Sequence, residues 1–559
     1  MKKLTLITAC AALAVLCSCS SKLGELSADN FYVSPNPLET QGGRVEAVID
    51  GHFPAKYMKK KAVVTVTPEL RAKDGSRVAK GQSAIFQGEK VLGNNQQISY
   101  NNGGSFVMRA NFGYEDALHS SDLYLTFNAR IGNKQQDVPA VDIADGVIAT
   151  AELYRRTLAK DGACWAADSF QRIKDARLEA QVKFLINQAE LRKSELQNSS
   201  VTEFVRLLQQ INRDRETLTL NDVEVLAYAS PEGDTDFNER LAGKRQAVSE
   251  NYVKGQLDKT TLDATLTGRY TAEDWEGFRQ LVQASSIQDK DVILRVLSMY
   301  QDPQEREQQI RNMSEGFREL ADGILPELRR ARMIINYQVV GRSDEQILSQ
   351  YADDAGQLSV DELLYAAAIT DDASKKKAIY LKTAQLYPND CRSVNNLAAM
   401  ELANGNYSQA RHYTVKALSI DGQSAEANAN MGLLYLADGN IGAAQTSIAK
   451  ASGAEGVSQV RGILNIAKGN YAQAASELSS SNTNTAALAQ ILNNDYATAQ
   501  QTLKGVEDKD AMTDYLAAIA CARQGNNTEA ATHLSDAISK DRSLAAYAKD
   551  DLELSAVNK

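Results

Sequence analysis

The side chains able to do covalent or metal chemistry are spaced in a way that argues against it. The four histidines, His52, His119, His412 and His533, are scattered over three regions, and no zinc-binding spacing can be made from them. Of six cysteines, Cys10, Cys17 and Cys19 crowd the N-terminus. Cys164, Cys391 and Cys521 form an odd, widely separated set, which is not a disulfide framework. Cys164, beside Trp165, is the thiol that could react or pair, an inert thiol being the plainer reading. Cys521 falls at a core position of a helix and reads as a small buried hydrophobe, and Cys391 begins a repeat. No Ser-His-Asp, Cys-His, metal or phosphate-loop arrangement can be assembled. The expectation is a protein without catalysis, metal or cofactor.

Cys19 is the exception. Lys2 and Lys3 followed by the apolar run Leu4 to Leu16 form the n-region and h-region of an export signal, too short to span a bilayer. Leu16-Cys17-Ser18-Cys19 resembles a bacterial lipobox, in which the last Cys is lipidated and becomes the first residue of the mature protein. The resemblance implies a signal peptide at 1–18 and a membrane anchor through acyl chains such as palmitate on Cys19, each buried methylene contributing roughly 0.8 kcal/mol. Residues 19–30 then act as a lipid-anchored tether. Plain secretion is the alternative. The flank Ser20-Ser21-Lys22-Leu23-Gly24-Glu25 has no acidic run of the kind associated with surface export, which favours the periplasmic face of the outer membrane over the cell surface.

The elements behind these residues fall into three regions. The chain's 559 residues, 43% hydrophobic, suit about three or four domains. A formal net charge of -10 gives no overall basic character and so no pointer to nucleic acid. From 31 to 145, short runs such as Arg44-Val45-Glu46-Ala47-Val48-Ile49 and Asp122-Leu123-Tyr124-Leu125-Thr126-Phe127 alternate with Gly and Asn turns, predicting an antiparallel β-sandwich. A linker over 146–175 follows. From 176 to 341, strands at Glu179–Leu185, Asp222–Tyr228, Ala264–Thr267 and Arg332–Tyr337 alternate with helical sequence at Val201–Ile211 and Phe237–Leu257, an α+β layout.

In this second region Ala227-Tyr228-Ala229-Ser230-Pro231-Glu232-Gly233, with Asn238, Leu241 and Arg245, resembles the core of the OmpA-like peptidoglycan-binding domain. Arg329-Arg330-Ala331-Arg332 is similar to that family's entry into its last strand, and Gly268 to Phe278 resembles a Bacteroidales variant of the domain. The resemblance implies recognition of a diaminopimelate residue, its carboxylate by an Arg and its ammonium by an Asp. Arg245 matches the Arg. Ser230 stands at the Asp position without a charge, and Glu232, two residues on, is the substitute. Ser230, Glu232, Asn238 and Arg245 are therefore the candidate peptidoglycan-binding residues. The other reading is a fold kept as a structural or protein-binding module, with Trp275 packing in a loop or core.

After a second linker at 342–358, residues 359–559 are helical and repetitive. Gly405-Asn406-Tyr407, Gly439-Asn440, Gly469-Asn470-Tyr471, Asn494-Asp495-Tyr496 and Gly525-Asn526 share a frame with Ala410, Ala444, Ala474, Ala499 and Ala530, at spacings of 34, 30, 25 and 31 residues. The first spacing resembles the tetratricopeptide unit; the shorter ones predict trimmed helices or loops. Stacked units of this kind form an all-α solenoid. The functional expectation is a non-enzymatic envelope scaffold or tether. It is held to a membrane through Cys19, contacts an unidentified protein through the repeats, and contacts peptidoglycan through the OmpA-like region. A surface adhesin or fimbria-associated accessory is the alternative.

Overall fold

The computed structural model describes residues 22–232, 234–287, 289–312 and 314–557; the stretch expected to be an export signal and Cys19 lie outside them. The chain divides into two compact units, Met1–Asp168 with Thr370–Lys559, and Ser169–Ile369.

The first unit joins the N-terminal sheets to the C-terminal helices. One sheet has five strands, Phe31–Ser34, Leu38–Gln41, Arg44–Phe53, Gly104–Gly113 and Val147–Ile148. The other has seven, centred on Ala62–Ala72 and Ser121–Ile131. The alternation read in Arg44–Ile49 is real: Val45, Ala47 and Ile49 are buried while Arg44 and Glu46 are exposed. With Phe53 they meet Val64, Val66, Leu70, Leu123 and Leu125 of the other sheet in one core. Each fully buried large side chain of this kind contributes roughly 1.5–3 kcal/mol.

The helical part starts with α1 (Tyr154–Gly162), which lies in sequence before the second unit, and resumes with α2 (Ala373–Leu386). Five helix pairs follow: α3 (Arg392–Ala403) with α4 (Tyr407–Ile420), α5 (Ala425–Ala437) with α6 (Ile441–Ile448), α7 (Val457–Ala467) with α8 (Tyr471–Glu477), α9 (Asn484–Leu492) with α10 (Tyr496–Lys504), and α11 (Ala511–Arg523) with α12 (Asn527–Lys540). A short α13 (Leu544–Lys549) closes the stack. Each pair reverses through a left-handed residue, Gly405, Gly439, Gly469, Asn494 and Gly525, with φ between +63° and +78°. That conformation costs Gly little and Asn is tolerated there, which is why these two residues mark the frame. The alanines of the frame, Ala410, Ala444, Ala474, Ala499 and Ala530, are all 0% exposed, letting paired helices close on each other. The short spacings come from trimmed second helices: α6, α8 and α10 have 8, 7 and 9 residues, against 14 in α4 and α12.

In the second unit a four-stranded sheet has the order Ile173–Lys183, Arg330–Val340, Leu218–Tyr228, Thr265–Thr271. The first two pairings are antiparallel and the last is parallel. The helix Thr235–Thr260 makes the crossover that a parallel pair requires. Helix Ser199–Arg213 is capped by the Asn198 side chain, which accepts from the Val201 amide, and buries Val201, Phe204, Leu208 and Ile211 against Val223, Val225 and Met333. The last strand runs beyond its expected bounds at both ends and the first two begin earlier than expected, while the first already stops at Lys183 and the third starts at Thr265, with Gly268 to Thr271 extending it. The stretch 342–358, expected as a linker, holds the helix Asp344–Asp354, started by a capping box at Ser343 and Gln346. Among the described residues no helix is long and apolar enough to cross a membrane.

Candidate functional site

Two places gather polar side chains around a backbone. The first is the solenoid face lined by the first helix of each pair. Segment 146–175 was expected to be a linker, yet α1 packs against α3, α5, α7 and α9. Leu153, Tyr154, Leu158 and Cys164 share one core with Leu402, Leu433 and Ile463. The approach is close at Gly162, where a Cβ would stand 2.9 Å from both Leu433 and Ile463 side-chain carbons.

Beyond α1 the chain continues along the same face and is held by side-chain amides. Cys164 donates its N–H to Asn430 Oδ1 at 2.8 Å, and Asn430 Nδ2 donates back to the Cys164 carbonyl at 2.8 Å. Two residues on, Ala166 N–H donates to Asn396 Oδ1 at 2.7 Å and Asn396 Nδ2 returns to the Ala166 carbonyl at 3.0 Å. Asn395 Nδ2 adds a second donor to the Cys164 carbonyl at 3.1 Å, and Arg392 donates to the Asp168 carbonyl at 2.9 Å. Residues two apart, each paired through both N–H and C=O, form the pattern of one edge of a β-strand, with asparagines standing in for the neighbouring strand. Further along, Thr485 donates its N–H and its Oγ1 to Asp161 Oδ2, both at 2.9 Å. Burial pushes the Asp161 carboxyl up, against those hydrogen bonds. Burial also pushes the Cys164 thiol up to about 12, so it is an inert, protonated thiol.

Asn396, Asn430 and Thr485 each stand nine residues before a turn residue, Gly405, Gly439 and Asn494. They occupy the same position in the first, second and fourth pairs, the third pair carrying Val460 there, and all three hold the same segment. Sequence reading missed this rung. The signal was present: buried amides inside otherwise apolar helices need partners.

At the end of the stack the sheets meet the closing helix. His119 stacks on Tyr547 with ring centroids 4.1 Å apart, and Thr150 Oγ1 donates to Glu553 Oε2 at 2.6 Å. Tyr471 donates its hydroxyl to the Thr40 carbonyl at 3.3 Å. Tyr515 donates to Asp551 Oδ2 at 2.6 Å, while burial raises the Asp551 carboxyl.

The second place is the loop after strand Leu218–Tyr228, where the four residues selected from sequence do come together. Ser230 Oγ donates to Glu232 Oε1 at 2.9 Å. Asn238 Nδ2 donates to the carbonyls of Ser230 and Glu232 at 3.3 and 3.2 Å. Arg245 sits beside them, 1% exposed, with its guanidinium over the Phe184 ring. Its donors reach the carbonyls of Gln188, Tyr228 and Leu185 at 3.0, 2.8 and 3.2 Å. Burial, then the neighbouring Arg329, pull this guanidinium down to about 10, and Glu232 acts the other way. Arg329 donates to Glu232 Oε1 at 3.1 and 2.6 Å, and Arg330 pairs with Asp274 at 3.0 Å. In this arrangement Arg245 ties the loop at Leu185 and Gln188 to the end of strand Leu218–Tyr228, and Glu232 is matched by a cation of its own. Trp275 meets Phe278 edge-on, hydrogen-bonds Glu273 and lies under Arg306, a packing role.

No protein-family model matches the chain, and no curated protein sequence does. Among solved structures the chain is similar to a tetratricopeptide repeat protein from Parabacteroides merdae, at 15% identity over 44% of this chain and 99% of that one, with a TM-score of 0.29. It is similar to the APC/C hetero-tetramer Cut9-Hcn1 at 14% identity over 57% and 67%, with a TM-score of 0.31, and to yeast Tom70 at 12% identity over 58% and 74%, with a TM-score of 0.25. Scores this low leave the repeat assignment to rest on the helix pairs, their left-handed turns and their buried alanines.

Proposed function

We propose that the protein is a non-enzymatic scaffold of the cell envelope, anchored by lipid at Cys19 and built around a solenoid that grips main chain. The observation that supports this most is the pair of two-way amide contacts from Asn430 and Asn396 to Cys164 and Ala166. Such contacts read backbone and not side chains, so they make the repeats a peptide-holding device. In this chain the device is used in cis, which fastens the N-terminal sheets to the helical stack. A protein partner is then read by other surfaces, and the outer helices carry exposed apolar side chains such as Leu381 on α2 and Val415 on α4. On this reading the second unit, with its OmpA-like motif, supplies the contact to peptidoglycan.

The test is crosslinking in intact cells, purification through the C-terminus, and identification of both proteins and muropeptides. Muropeptides on residues 169–369 support the tether. Fimbrial subunits in their place favour the adhesin reading. Cys19→Ser separates out the anchor: the variant is expected to leave the membrane fraction or to keep its signal. If it is processed and still stays with membranes after salt and urea washing, the lipid anchor is wrong.

A further inference from the structure

We propose that Cys521, Glu529 and His533 form a binding site for a divalent transition-metal ion of the zinc type. The three lie on the last helix pair. Cys521 is on α11, and Glu529 and His533 sit one turn apart on α12, across the Gly525-Asn526 reversal. One ligand atom from each, the thiol sulfur, a carboxylate oxygen and a ring nitrogen, lie within 4.8 Å of one another. Zinc bonds of about 2.0–2.3 Å in a tetrahedron put ligand atoms roughly 3.4–3.8 Å apart. The remaining gap is closed by side-chain rotation, which Glu529 is free to make because it is exposed. A thiolate, an imidazole and one carboxylate make a mixed soft and borderline set that suits zinc over magnesium or calcium.

The surroundings carry the idea further. His533 Nδ1 is buried and makes no hydrogen bond. It lies 4.0 Å from Asp514 Oδ1, and that carboxylate is held on its other oxygen by Lys540 at 2.6 Å. Asp514 stands beside the imidazole and would have to close the 4.0 Å gap to steady it, as carboxylates beside metal-bound histidines do. Gln500 Nε2 lies 3.2 Å from Cys521 Sγ, a donor that favours the thiolate. Without a metal, burial outweighs this and holds the thiol above its ordinary value. A cavity of about 100 Å³ is lined by Asp514, Glu529 and His533 together with Lys504 and Lys509, and Cys521 lies outside its lining. Binding would release the thiol proton and leave one coordination position for water. It would also clamp α11 to α12 in the last repeat of the stack, next to the closing helix α13.

The experiment uses the full chain after chelator treatment, titrated with Co²⁺ and then Zn²⁺. The expected result is a thiolate-to-cobalt absorption band that saturates at one equivalent and is displaced by zinc. Cys521→Ser should abolish the band. Glu529→Gln and His533→Gln, on the more accessible helix, should each weaken zinc binding at least tenfold. Zinc should also slow alkylation of Cys521, read on its peptide by mass, and leave Cys391 unaffected. A wild type with no band, a band that persists in Cys521→Ser, zinc affinity unchanged in the two α12 variants, or unprotected Cys521 would each overturn the site.

Discussion

Asn430 and Cys164, 266 residues apart, exchange two hydrogen bonds of 2.8 Å, side-chain amide against main-chain amide. Both groups are buried, so the pair has no water to fall back on. Asn430→Ala would strand the Cys164 N–H and take one of two donors from its carbonyl. We predict a loss of about 1–3 kcal/mol for the first unit. Trp165, in the held segment, reports it: with Trp275→Phe as background it is the only indole in the chain. A urea midpoint shared by wild type and Asn430→Ala would show that the rung carries no stability.

Gly432 tests the stack itself. A Cβ there would fall 2.4 Å from Ile448 Cγ1, so α5 and α6 touch through a missing side chain. Gly432→Ala is expected to cost about 1–3 kcal/mol by overpacking, and Gly432→Glu more, since a charge would be driven between packed helices. The first unit contains both sheets and solenoid. Limited proteolysis of Gly432→Glu should therefore attack residues 22–168 as well as the repeats, and spare residues 169–369. Sheets that survive intact while the repeats are digested would show that the two fold separately.

These two cases mark what the sequence makes legible. The turn frame from Gly405 to Gly525 can be read because one left-handed residue per repeat is a local demand. The strands around Val45 and Leu123 can be read because a half-buried sheet imposes a period of two. The docking of α1 cannot. Its nine residues carry Tyr154 and Leu158 but no sign of what covers them, and the partners Leu433 and Ile463 lie hundreds of residues away. The loop at Ser230 was found through its family likeness, which names residues but not bonds. That Arg245 is spent on the carbonyls of Leu185, Gln188 and Tyr228 follows from the packing of strand ends that no local pattern encodes.

Stability of the first unit should depend on pH in a particular sense. Burial raises the carboxyls of Glu152, Asp161 and Asp551. A raised carboxyl holds its proton more tightly in the folded chain. Its destabilising effect is present above the folded value and is fully relieved below the unfolded value of about 4. Glu401 acts the other way, since Lys377 holds it down, and its contribution is lost as pH falls through its own lowered value. Urea midpoints followed by Trp165 should therefore rise as pH falls from the alkaline side towards the ordinary carboxylate value of about 4, and fall again below it. Asp551→Asn, which keeps an acceptor for Tyr515, should flatten the upper limb. A wild-type midpoint that climbs steadily from pH 5 to 8 would contradict the assignment.

The loop of the second unit is where a structural role and a ligand-binding role separate most cleanly. Arg245→Ala leaves three main-chain carbonyls short of a donor and empties a packed site over Phe184, a cost of about 3 kcal/mol or more. Ser230→Asp restores the acid that the family likeness lacks here, but it sets a carboxylate where a hydroxyl now donates to Glu232 at 2.9 Å. Arg329 already serves Glu232 and the donors of Arg245 go to main-chain carbonyls, so a second anion would arrive where both guanidiniums are already engaged. We predict that Ser230→Asp destabilises the second unit by about 1–3 kcal/mol near neutral pH, and that acid relieves the penalty once one carboxyl takes up a proton. Thermal unfolding of residues 169–369 within the full chain, followed by Trp275 in a Trp165→Phe background, measures both effects. Sedimentation with purified sacculi decides between the roles. If Ser230→Asp is as stable as wild type and binds sacculi that wild type leaves in solution, the loop is a peptidoglycan site waiting for its acid. The network drawn around Glu232 would then be incidental.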